Sequence, residues 1–381
     1  MVTPMTQTAI AGIGQTEFSK NSGRSELQLA VEAARAAIAD AGLSPTDIDG
    51  MVTFDSDPND ELAMIRSLGI PELRWVSRTI RGGAGSGSCV HHAAAAVASG
   101  AANAVLVFRA FNERSGRRFG QPQNQSSNPA QNWHIPYGLD TPAKIYSLWY
   151  QRYMAKYGVT NADFGRYTVA ARTYAANNPN AWFYNRPITL EDHQSSRWIV
   201  EPILRLLDCC QESDGGVALI VTTAERARDL DAQPVRIESV GTSHLEGGDI
   251  MYDYYRSQPG KFHEATSLGA HLFGTAGIEA DDLDVCMINE NFSPIVLMQL
   301  EAYGFCGEGE AKDFIAEGNI DIDGKLPVNT NGGLLGEAYI HGVNLIHEAV
   351  RQVRGTSFNQ VKEVEHAMMT CGRSGMVLGK L

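Results

Sequence analysis

Two stretches of this chain repeat one another. Residues 41–54 read AGLSPTDIDGMVTF and residues 276–289 read AGIEADDLDVCMIN, at a constant offset of 235 residues. Each copy follows a run of small residues at helical spacing. Before the first, Ala30, Ala33, Ala34, Ala37, Ile38 and Ala41 fall on one face of a helix. Each copy ends in an apolar stretch of strand character, and each has a further strand upstream, at residues 8–13 and 235–240. Self-similarity at a fixed offset marks one supersecondary unit used twice. The chain therefore divides into two related βαβ-type halves, roughly residues 1–230 and 233–381.

Local signals fill in the first half. Ser25 with Gln28 has the form of a capping box ahead of the alanine-rich helix, and Gly42 is a stop signal behind it. A strand is expected over 48–54, a second small-residue helix over about 86–99, and a buried strand over 104–108. The glycines at 12 and 14 form a GxG, but the third glycine and the immediate helix of a dinucleotide site are missing. Residues 112–205 are polar and rich in Asn, Gln and aromatics. Their FGQPQNQSSNPAQN portion is loop-like, and 144–177 is helical. Excursions of this kind carry specificity, so the region is expected to cover an active site or a dimer face.

The formal charge of −13 and a pI near 5.2 argue against a general nucleic-acid binder, while leaving room for a local basic patch. The opening MVTPMTQTAI has neither a basic nor an apolar signal region. The stretch HHAAAAVASGAANAVLVF is interrupted by Gly100 and Asn103, so it reads as a core helix entering a strand and not as a membrane span. Six scattered cysteines, none in a CxxC pair or at zinc-finger spacing, fit a reduced cytoplasmic protein without a metal site.

Four strings, in order along the chain, resemble the thiolase-like superfamily, specifically its lipid-transfer-protein (sterol-carrier-type) group. They are AIAGIGQTEF (9–18), RYMAKYGVTNADFGRYTVAARTYAANNPNA (152–181), IVEPILRLLDCCQESDGGVALIVTT (199–223) and NTNGGLLGEAYIHG (329–342). The last resembles the family's Asn-x-x-Gly-Gly loop ending in Gly-His-Pro. Within the group, RAFNERSGRRFGQ (109–121) and GEAYIHG (336–342) look most like the steroid side-chain-cleaving aldolases. The resemblance implies a layered α/β/α/β/α thiolase-like fold and a homodimer bound to a small OB-fold, zinc-ribbon partner. It also implies retro-aldol cleavage of a β-hydroxyacyl-CoA on a steroid D-ring. The CoA thioester is then the substrate, and no separate cofactor is expected.

Read onto the family's motifs, the chain lacks a thiolase's central group. A thiolase needs a cysteine at the N-terminal end of the first half's central helix, where the dipole favours the thiolate. Its Cys-x-x-Gly-Ser falls on Ala84–Ser88, which puts Ala84 at the nucleophile position. Cys89 lies more than a turn further on and reads as a buried packer. The family's Gly-His-Pro falls on Ala338–Ile340, so Tyr339 offers a phenol where the family has its histidine. His341 sits two residues on. Asn-Glu-Ala-Phe falls on Asn289–Phe292, and Asn289 is a candidate to polarise the thioester carbonyl. Part of the aldolase group is expected to carry a tyrosine at that position, so the departure puts a two-tyrosine mechanism in doubt. Tyr252, Tyr254 and Tyr255 are other phenols, and Cys371 resembles the family's C-terminal proton-shuttling cysteine. For substrate and CoA, Gly332 and Gly333 of the loop and the basic group Arg114, Arg117 and Arg118 are the candidates.

The expected activity is a carbon–carbon lyase that forms no acyl-enzyme. Two alternatives stay open: an acyltransferase or condensing enzyme using Cys89, and a non-catalytic lipid- or CoA-binding subunit.

Overall fold

The computed structural model describes residues 4–79, 82–122, 132–230, 232–249, 251, 255–258 and 260–381. Its main strands are β1 (Thr8–Gln15), β2 (Gly50–Phe54), β3 (Trp75–Thr79), β4 (Ala104–Asn112), β7 (Asp214–Thr223), β8 (Val235–Thr242), β9 (Val285–Ile288), β10 (His366–Thr370) and β11 (Ser374–Lys380); β5 (Trp198–Val200) and β6 (Leu204–Arg205) form a separate ribbon. The helices that matter below are α1 (Glu26–Asp40), α2 (Glu61–Leu68), α3 (Ser86–Ala98), α4 (Pro142–Tyr157), α5 (Asn161–Asn177), α6 (His263–Ala276) and α7 (Val343–Arg354).

The repeated string folds the same way twice. Gly42 at φ 67° and Gly277 at φ 78° end their helices in the left-handed region that glycine tolerates. Ser44 and Asp47 cap each other around a 3-10 turn, and Glu279 and Asp282 do the same. The turns lead into β2 and β9. Of the box expected at α1, the Ser25 half forms: its Oγ accepts from Gln28 N at 3.2 Å, while the Gln28 side chain turns to Glu32.

The strands run in the order β3-β2-β4-β7-β1-β8-β11-β10-β9. Read outward from the β1–β8 junction, the two sides match. β7 and β11 are antiparallel to β1 and β8, β4 and β10 are antiparallel to those, and β2 and β9 run parallel to β4 and β10. β3 continues one side in parallel, and a parallel bridge from Cys286 to Val328 stands in the corresponding place on the other. The junction itself has only the pairs Ala9↔Arg236 and Ile10↔Val235.

Around that narrow junction the helices form layers. α3 and α7 each pack on strands of both halves and make the middle layer, α1 covers the outer face of the first half, and α6 that of the second. Three apolar clusters fill the spaces between, which is the layered sandwich expected from the sequence. Among the described residues no helix is long and apolar enough to cross a membrane.

Two differences from the sequence reading have local causes. The helix expected over 144–177 is two helices, because Gly158 takes φ 66° and ends α4. β4 runs on to Asn112, since Arg109–Asn112 pair with Asp214–Val217 of β7. The GxG of β1 is a packing device. A Cβ on Gly14 would lie 2.2 Å from Ala37 N and 2.4 Å from Ala33 O, so the alanine face of α1 rests directly on the strand. Gly14→Ala is expected to cost about 1–3 kcal/mol through overpacking, read as a lowered denaturant midpoint. An unchanged midpoint would show that α1 is not held this closely.

Candidate active site

A cavity of about 790 Å³ lies where the halves and the 112–205 excursion meet. The turn Gly82–Ala84, just ahead of α3, lines it from one side, and Tyr339, His341, Asn289 and Cys371 from the second half line the other. Phe119, Tyr146, Trp149, Arg172 and Trp182 close it from the excursion, which therefore covers the site.

The turn brings three sequence candidates together. A Cβ on Gly83 would stand 3.5 Å from Asn289 Nδ2 and 3.7 Å from the Tyr339 hydroxyl, and one on Gly82 would stand 3.7 Å from His341 Nε2. Ala84 lies between them and the start of α3, without a nucleophile. The Asn289 amide oxygen is buried and has no hydrogen-bond partner. Burial pushes the Tyr339 phenol well above its ordinary value, with the Cys210 thiol and the Glu113 carboxyl adding to the shift, so it stands as a neutral hydrogen-bond donor.

His341 is held by the first half. Arg109 Nε donates to His341 Nδ1 at 3.1 Å, and Arg109 Nη1 pairs with Asp57 Oδ2 at 2.7 Å. Burial, then Arg109, drives the imidazole pKa far below its usual range, so the ring is neutral. A guanidinium can only donate, so the ring proton must be on Nε2, the nitrogen nearer Gly82. His341 is therefore a donor here. The ring is stacked on Phe119 and packed by Phe54 and Phe111.

The thiols are quiet. Cys89 is fully buried outside the cavity lining, with Sγ 3.0 Å from Thr79 Oγ1, and burial pushes its thiol up to about 12. Cys371 lines the cavity with Sγ 2.8 Å from Ser86 Oγ, and burial outweighs its hydrogen bonds to raise it to about 11.

Other candidates lie elsewhere. Gly332 and Gly333 are outside the lining: a Cβ on the first would strike Ala175, and one on the second would strike Glu290. Their role is close packing of the loop against α5 and Glu290. Tyr255 is 71% exposed and also outside the lining; Tyr252 and Tyr254 lie outside the described residues. Arg114 and Arg117 are exposed and do not line the cavity, whereas Arg118 does and pairs with Glu212 at 2.7 Å. The cations that sequence reasoning missed are Lys20, Arg172, Arg197, Arg256 and Arg373. Arg172 is the most informative. It is 6% exposed, lies over the Phe183 ring, and makes no ion pair among the described residues; burial and Arg186 lower its pKa to about 10. A buried guanidinium without a carboxylate, facing a cavity, suits an anionic ligand.

Residues 255–378 match the family described as Thiolase C-terminal domain-like. The chain is 53% identical to the steroid side-chain-cleaving aldolase of Thermomonospora curvata, covering 97% of both chains. It is 52% identical to the 17-hydroxy-3-oxo-4-pregnene-20-carboxyl-CoA lyase of Mycobacterium tuberculosis, covering 98% of this chain and 99% of that one. Among solved structures, the Ltp2-ChsH2(DUF35) aldolase superposes with a TM-score of 0.94 at 52% identity over 98% of both chains. Human mitochondrial 3-ketoacyl-CoA thiolase, at 15% identity and a TM-score of 0.69, shares the fold. This chain belongs to the steroid side-chain-cleaving aldolases of the thiolase-like superfamily.

Proposed function

We propose that this chain is a retro-aldolase acting on a β-hydroxyacyl-CoA carried by a steroid, releasing a ring ketone and a short acyl-CoA such as propionyl-CoA, without an acyl-enzyme. The observation that carries the reading is the cavity's chemistry. A neutral phenol, a neutral imidazole and a free amide oxygen converge on the Gly82–Ala84 turn, at the helix end where a thiolase has its cysteine. In the substrate named for the M. tuberculosis relative, the 17-hydroxyl is β to the thioester carbonyl. That is the arrangement a retro-aldol reaction requires.

The step balances without a nucleophile, metal or redox partner. The hydroxyl loses its proton, the bond between the ring carbon and the α-carbon breaks, and its electron pair moves into the thioester carbonyl as an enolate. The α-carbon then takes a proton. What the chain must supply is proton transfer and hydrogen bonds to the enolate oxygen, each such donor being worth roughly 3–4 kcal/mol in a preorganised site. We assign Tyr339 to a proton-relaying or enolate-binding role, Asn289 to orienting the thioester group or its water, and His341 to donation through Nε2–H. Arg172, with Arg118 and Lys20, is assigned to the CoA phosphates. A homodimer, and a small OB-fold, zinc-ribbon partner of the kind that fits the DUF35 chain in the structural neighbour's name, complete the proposal.

Three outcomes test it. Tyr339→Phe keeps the ring packed on Phe111 and His341. It is expected to lower kcat at least a hundredfold, within the 10²–10⁴ range typical of a lost proton-transfer group. Stability should fall by only about 1 kcal/mol and CoA-thioester affinity should stay within a few-fold. Cleavage at the parental rate would make Tyr339 structural. Cys89→Ala is expected to retain most activity; a folded variant slowed by more than about a hundredfold would overturn the placement of Ala84 at the nucleophile position and revive the acyltransferase alternative. Finally, light scattering with the partner present should give an isologous dimer of this chain, and a monomer at micromolar concentration counts against that assembly.

A further inference from the structure

We propose that Glu113 is the proton-accepting carboxylate of the reaction, taking the β-hydroxyl proton of the substrate directly. This inference rests on the retro-aldolase reading above, and names the base that reading leaves open.

The argument starts in β4. Side chains alternate along a strand, so Arg109 and Phe111 share a face of β4, and Glu113 lies in the turn that follows. Arg109 holds His341, and Phe111 packs edge-on against Tyr339 and beside His341. Glu113 lines the cavity, yet it is only 3% exposed and its Oε2 has no hydrogen-bond partner. Ser213 ties it to the second-half loop: Glu113 N donates to Ser213 O at 3.3 Å, and Tyr339 N donates to Ser213 Oγ at 3.2 Å.

Among the described residues that line the cavity, the other titratable groups are engaged or neutral. The Tyr339 phenol is neutral, so it can relay a proton or donate a hydrogen bond but cannot be the net base. His341 has one nitrogen occupied by Arg109 and its proton on the other. Cys371 is a protonated thiol engaged with Ser86. Lys20, which burial lowers to about 8, is engaged as a donor to Gln211 Oε1 at 2.8 Å and to Glu212 O at 2.6 Å. Of the two other carboxyls that line the cavity, Glu212 pairs with Arg118, and Glu264 pairs with Arg256 and lies 3.5 Å from Arg373. Glu113, by contrast, makes no ion pair among the described residues and keeps a buried oxygen without a hydrogen-bond partner there.

Its environment suits the task. Burial, then the charge of Glu212, raises the Glu113 carboxyl to about 8, against the Phe119 and Ser213 amides and the Lys20 ammonium, which pull it down. Cys210 and Tyr339 also face it, and both are neutral. A base with its pKa near the working pH is effective at both accepting and returning a proton. The carboxylate takes the hydroxyl proton as the carbon–carbon bond breaks. The resulting carboxylic acid gives a proton to the α-carbon of the enolate, which restores the carboxylate.

The test uses the chain with its partner and 17-hydroxy-3-oxo-4-pregnene-20-carboxyl-CoA. In the parent, kcat should rise with pH through about 8 as Glu113 ionises. Glu113→Gln should lower kcat at least a hundredfold and remove that rise, with thioester affinity within a few-fold. The folded-state pKa is raised from the ordinary 4.5 to about 8, so the fold loses stability as pH climbs from about 4.5 to about 8 and levels off above that. The Gln variant should therefore lose less thermal stability than the parent over that interval. A Gln variant with near-parental kcat, or with the parental pH rise, overturns the assignment while leaving the retro-aldolase reading intact. If the parent cleaves nothing, both fall. Should the Gln variant not fold, Glu113→Asp decides: withdrawing the carboxylate by one methylene should cut kcat at least tenfold at unchanged affinity, and parental kcat there overturns the assignment.

Discussion

The site is organised by one buried ion pair. Asp57 and Arg109 meet at 2.7 Å, both essentially inaccessible to water, just past the end of β2 and within β4. Asp57 also accepts from the backbone of Ala110 and from Asn59, and the Arg109 guanidinium lies over the rings of Phe111 and Phe54. A buried charge that loses its partner costs roughly 3–5 kcal/mol, so neither residue is free to change alone. The remaining donor of interest, Arg109 Nε, reaches across to His341 in the other half. That contact holds a non-glycine residue at φ 51°, a conformation that persists only where the surroundings enforce it. The loop that carries Tyr339 is thereby registered against the first half.

Burial then sets the protonation states of four groups in the cavity. It raises the Tyr339 phenol, the Cys371 thiol and the Glu113 carboxyl, and it lowers the His341 imidazole. All four are driven toward their neutral forms, because a charge taken out of water is penalised more than a hydrogen bond recovers. A thiolase needs a thiolate, and position 84 is an alanine with no thiol to ionise. The cavity is instead furnished with neutral donors, which are what an enolate needs. The cavity also holds the ion pairs Arg118–Glu212 and Arg256–Glu264, and Arg172 stands there without a carboxylate among the described residues.

The two strings that look most like the aldolases, 109–121 and 336–342, are far apart in the chain and in contact in the fold. Arg109 bonds His341, Phe111 packs on Tyr339, and Phe119 stacks on His341. Each string supports the other's site residues. A substitution in either is therefore expected to couple to the other, since residues in direct contact deviate from additivity.

The repeat, the helix stop at Gly42 and the alanine face of α1 were legible in the sequence, and so was the alanine at position 84. They depend on local turn chemistry, on helical period and on motif position, each of which is written along the chain. Tyr339, Asn289 and His341 were legible as candidates for the same reason. Their states were not. That His341 is a donor follows from Arg109, 232 residues away, and that Tyr339 is neutral follows from burial. Nor could the sequence distinguish the exposed Arg114 and Arg117 from Arg118 and Arg172 at the cavity, since a run of arginines carries no record of which way each side chain faces. Glu113 shows the limit most clearly. In sequence it is one more carboxylate in an acidic chain, and only the folded cavity wall leaves it buried, with one oxygen unpaired among the described residues. Local pattern determined which residues stand near the site; burial and long-range pairing, which exist only once the two halves close, decided what each can do there.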